Sequence, residues 1–72
     1  MMPRDLKRSL SIAGHRTSVS LEPEFWAALS VSAKAKNLSI AALVAEIDTS
    51  RGTRNLSSAI RVWLLNQNTV QG

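Results

Sequence analysis

His15-Arg16-Thr17-Ser18-Val19-Ser20-Leu21 alternates polar and apolar residues at the two-residue period of a half-buried strand. Thr17, Val19 and Leu21 fall on one face, and Arg16, Ser18 and Ser20 on the other. Glu22-Pro23-Glu24 then ends the strand and opens a helix, since proline suits the first helical position and acids suit a helix N-terminus. A lone strand leaves its backbone groups unpaired. With 72 residues the chain is one domain at most, with only a modest core to stabilise it. At 44% hydrophobic, and with Phe25, Trp26 and Trp63, it is too apolar for a disordered tail. Pairing of the strand with a second copy reconciles these facts, and the expected fold is mostly α with one short β-strand, in a homodimer.

Upstream, Arg8-Ser9-Leu10-Ser11-Ile12 also alternates, and Ala13-Gly14 follows as a turn or kink. Two readings stay open: residues 8–14 extend the main strand, or they fold back as a hairpin arm. Met1 to Lys7 reads as a flexible basic arm. No internal repeat or low-complexity stretch stands out.

Downstream, Pro23 to about Lys36 reads as a first helix, with Phe25, Ala28, Leu29, Ser32 and Ala33 at helical spacing and Asn37 as its left-handed stop. Ser39 suits an N-cap for a second helix, where Ile40, Leu43, Val44 and Ile47 form the clearest apolar stripe of the chain. Asp48 to Arg54 is a polar loop containing Gly52. Asn55 or Ser57 caps a third helix, roughly Leu56 to Asn66, with Leu56, Ala59, Ile60, Trp63 and Leu64 inward and Arg61 outward. Residues 67–72 read as a frayed tail, so the domain is placed at 8–66.

The net charge of +4 suits a polyanionic partner. In the first twenty residues Arg4, Lys7, Arg8 and Arg16 face only Asp5. There are no cysteines, hence no disulfide framework and no thiolate metal site. His15 is a single histidine without neighbouring acids, Glu22 and Glu24 do not converge, and no phosphate-binding glycine loop is present. Neither an enzyme nor a cofactor is expected. No apolar run reaches the roughly 20 residues needed to span a bilayer, and no signal-peptide pattern opens the chain. A cytoplasmic protein without a membrane partner is expected.

The string from Gly14 to Trp26, together with the inter-helix turn Asn37-Leu38-Ser39, resembles the ribbon-helix-helix family of bacterial DNA-binding proteins. Leu43 to Asp48 and Asn55 to Arg61 are similar to a subfamily with an additional C-terminal helix. The resemblance implies an intertwined two-fold dimer whose paired strands enter the major groove. It assigns base reading to Arg16, Ser18 and Ser20, and phosphate binding to the second-helix start at Leu38, Ser39 and Ile40. Lys7 and Arg8 are expected to add phosphate contacts. The dimer core is expected to hold Val19, Leu21, Phe25, Leu29, Ile40, Leu43, Val44, Ile47, Ile60 and Trp63. The implied function is transcriptional regulation, as a repressor, with duplex DNA and a second copy as partners and higher-order assembly on DNA open. The alternative is a dimeric interaction or adaptor module of the same fold that binds a partner protein and does not read DNA. The third helix and a reading face of one Arg and two Ser both depart from the usual pattern.

Overall fold

The computed structural model describes residues 5–71, with side chains described through Gln67. Met1 to Arg4, most of the expected basic arm, and Gly72 of the expected tail lie outside the described residues. The elements are β1 (Leu6–Ile12), β2 (His15–Leu21), α1 (Pro23–Ala35), α2 (Ile40–Thr49) and α3 (Leu56–Gln71).

The expectation of one strand is corrected to two. β1 folds back on β2 as an antiparallel hairpin, in register from Leu6 opposite Leu21 to Ile12 opposite His15. Of the two readings left open for residues 8–14, the structure takes the hairpin. Ala13 and Gly14 form its two-residue loop at φ 52° and 83°. Positive φ at both central residues is what a type I′ turn requires, and its twist matches that of the strands it joins. Leu6 and Lys7, read as part of an arm, belong to β1. β1 thus pairs one edge of β2 within the chain, and the other edge has no strand partner among the described residues.

Opposed residues of an antiparallel pair share a face. Leu6, Arg8, Leu10 and Ile12 lie with Leu21, Val19, Thr17 and His15 on the side of the helices. Lys7, Ser9 and Ser11 lie with Ser20, Ser18 and Arg16 on the other side. The helices cover only the first face, where Ile12, Val19 and Leu21 are buried.

α1 starts at Pro23, as a proline in the first turn favours, and stops where Asn37 turns left-handed at φ 59°. The Leu38 amide then donates back to the Ala33 carbonyl at 2.8 Å. Ser39 caps α2, its Oγ accepting from the Ala42 amide at 3.0 Å. Asn55 caps α3 through Oδ1, which accepts from the Ser58 amide at 2.8 Å. α3 runs to Gln71, past the expected end at Asn66, and takes in most of the expected tail.

One cluster unites all five elements. Val19, Leu21, Leu29, Leu43, Val44, Ile47 and Ile60 are buried, and Phe25, Ile40 and Trp63 pack against them half-buried. All ten residues read as dimer core thus serve the core of a single chain. Ile12, Trp26, Ala33, Ala59 and Leu64 complete the cluster. Among the described residues no buried side-chain polar atom lacks a hydrogen bond, and no helix is long and apolar enough to cross a membrane.

Candidate nucleic-acid interface

The ribbon's outer face is built from short polar and basic side chains alone. Ser9 and Ser18 sit opposite each other at its centre; Lys7 pairs with Ser20 at one end and Ser11 with Arg16 at the other. Lys7, Ser9, Ser11, Arg16 and Ser18 are exposed, and Ser20 is half-buried. The Ser20 carbonyl accepts from Ser57 Oγ of α3 at 3.0 Å, which fastens the end of β2 to the third helix.

The structure brings Arg16, Ser18 and Ser20 together on this face and separates the two cations expected to hold phosphate. Lys7 is on the outer face. Arg8 points to the helix side, its guanidinium 4.9 Å from the centre of the Trp26 ring. From sequence, Lys7 ends the arm and Arg8 opens an alternating segment, with both expected at phosphates; as neighbours in one strand they take opposite faces. Trp26 holds the same corner by a second contact, its indole N–H donating to the Leu6 carbonyl at 2.8 Å.

Ile40 borders a groove that also includes Leu6, Arg8 and Trp26, so the start of α2 lies beside the β1 end of the ribbon. By helix geometry the first-turn amides lack intrahelical acceptors, and the Ser39 side chain takes up the Ala42 amide. The remaining positive end suits an anion. Leu38 is half-buried and Ser39 exposed at this corner.

Two other arginines, Arg61 and Arg51, are engaged in structural ion pairs. Arg61, expected to point outward, reaches from α3 to Glu22 at the β2–α1 junction, with Nη2 2.9 Å from Oε1, and lies 3.8 Å from Asp5. It also lies 5.7 Å from the centre of the Phe25 ring. The Glu22 carboxyl is held below its usual range by its own backbone amide and then by the Arg61 hydrogen bond. Arg51 pairs with Asp48 of the last α2 turn and donates to the Arg54 carbonyl within the α2–α3 loop at 2.6 Å. Among the described residues no three His, Cys, Asp or Glu side chains gather to hold a metal.

A two-stranded ribbon with a basic outer face, carried on a small helical core, defines a ribbon-bearing helical domain. The chain matches the ribbon-helix-helix domain family over residues 6–68, and it belongs to that family. Proteins of this family are generally DNA-binding transcription regulators, typically non-enzymatic, and typically bind DNA as dimers. No curated protein and no solved structure matches the chain.

Proposed function

We propose that this protein is a DNA-binding transcriptional regulator, a repressor of the bacterial cytoplasm, that places the β1–β2 ribbon in the major groove of duplex DNA. The observation that carries the reading is the ribbon's outer face, which is polar and basic, while Ile12, Val19 and Leu21 on the opposite face are buried in the core. Two strands about 4.8 Å apart fit a groove about 12 Å wide. Arg16 is suited to guanine O6 and N7, which it can engage bidentately, and Ser18 and Ser20 to shorter single contacts. The α2 start at Leu38, Ser39 and Ile40 would hold a flanking phosphate, with Arg8 beside it and Lys7 at the ribbon's end.

The homodimer belongs to the same proposal: β1 pairs one edge of β2, and the other edge is left for a second copy. Fluorescence-anisotropy titrations against a duplex selected from a randomised pool and a random duplex, at several salt concentrations, test the reading. Arg16→Ala should weaken the selected duplex by roughly 1–3 kcal/mol and leave random DNA less affected. Absence of binding to any duplex at low salt by the folded protein would leave the adaptor reading in its place.

A further inference from the structure

A pocket of about 130 Å³ opens where the end of α2, the loop after it and α3 meet. Ile47 and Ala59 line it as buried residues, and Val62 and Trp63 as half-buried ones. Arg51 and Arg54 complete it from the loop, and no carboxylate lines it. Arg51 is held by Asp48, whereas Arg54 is exposed and forms no ion pair among the described residues. The Arg51 guanidinium also donates to the Arg54 carbonyl at 2.6 Å, which fixes the loop that carries the free cation. An apolar wall thus meets an uncompensated positive charge on a tethered loop.

The C-terminal end of a helix ordinarily disfavours an anion. Here the last α2 carbonyls are taken up. Thr49 Oγ1 donates to the Ala45 carbonyl at 2.9 Å, Ser50 Oγ to that of Ile47 at 3.3 Å and the Arg51 amide to that of Asp48 at 3.4 Å. Arg54 therefore sets the sign of the local charge. Size limits the ligand further. A cavity of about 150 Å³ holds one benzene ring, so this pocket takes a single ring or a short branched chain.

We propose that the α2–α3 pocket binds a small monocarboxylate with an apolar body of one ring or one short branched chain. The body lies against Val62 and Trp63, and the carboxylate meets the Arg54 guanidinium, whose fork suits it bidentately. This site is separate from the ribbon face and does not rest on the DNA reading.

The probe is benzoate, with benzamide as its uncharged counterpart, each titrated into the full chain and followed by two-dimensional amide NMR. Benzoate should shift the Trp63 indole N–H and the Ala59 and Val62 amides, saturating at about millimolar concentration. Benzamide should bind about tenfold more weakly, and Arg54→Gln should bring benzoate down to the benzamide level. Arg54 is exposed, and an otherwise unchanged amide spectrum checks that the variant keeps its fold. Absence of saturable shifts at Trp63 would overturn the proposal. So would equal affinity for benzoate and benzamide, or wild-type benzoate affinity in Arg54→Gln. Shifts with a short peptide of glutamate and leucine, and none with benzoate, would overturn the small ligand and give the pocket to a protein partner. DNA binding is read separately by the anisotropy titrations, so failure here leaves the DNA reading standing.

Discussion

Val19 and Ser18 are neighbours in sequence and opposites in environment. Val19 is 2% exposed and faces the helices, whereas Ser18 faces solvent. Val19→Asp should destabilise the fold by roughly 3–5 kcal/mol through an uncompensated buried charge, and Ser18→Ala should leave the urea midpoint within error of wild type. The reverse ranking would put the wrong face on the outside. Trp26 shows how much a single side chain organises here. Its ring packs in the core, its N–H holds the Leu6 carbonyl, and its face receives Arg8. Trp26→Phe keeps most of the apolar volume and loses the hydrogen bond and part of the cation–π contact, so about 1–2 kcal/mol should be lost in urea unfolding. The outward set Arg16, Ser18 and Ser20 was legible because alternation alone fixes a face. Arg8 was not, since the side a residue takes depends on whether its segment is a strand or an arm.

At the scale of elements, the hairpin turn is the place where sequence and geometry sit least comfortably. Ala13 holds φ 52°, a conformation that costs an alanine roughly 1–2 kcal/mol. Ala13→Asn relieves it and should raise stability by about 0.5–1 kcal/mol. Gly14→Ala should destabilise although nothing crowds the new methyl, because φ there is 83°. Equilibrium urea unfolding reads both. The Glu22–Arg61 pair ties the β2–α1 junction to α3. The folded-state carboxyl titrates below its ordinary value of 4.5, so its contribution is present above that value and is lost as pH falls through the folded one. Arg61→Ala should therefore flatten the fall in melting temperature on acidification below that value, while the wild type keeps the steeper fall. The three helices and the cap at Ser39 were readable from apolar spacing and short polar residues, and the α3 cap, open between Asn55 and Ser57, falls to Asn55. The fold-back of β1 was not, because Ala13-Gly14 is a weak turn signal, and the strand pattern before it serves an extension equally well.

At the scale of the whole molecule, the core closes within one chain and draws on the β1–β2 hairpin and all three helices. β1 supplies one partner for β2, and the far edge of β2 has no strand partner among the described residues. If a second copy pairs there and folding is linked to association, the melting temperature at micromolar concentration should fall on tenfold dilution. A melt independent of concentration, with a folded monomer in sedimentation, would reject the obligate dimer. The hairpin has a further consequence, for how the ribbon's outer face can vary. In a ribbon formed by identical chains every mutation appears twice. Lys7 and Arg16 of this hairpin are separate codons at opposite ends of the face, so the charge at one end can change while the other stays, and the present difference between its lysine and its arginine is already such an asymmetry.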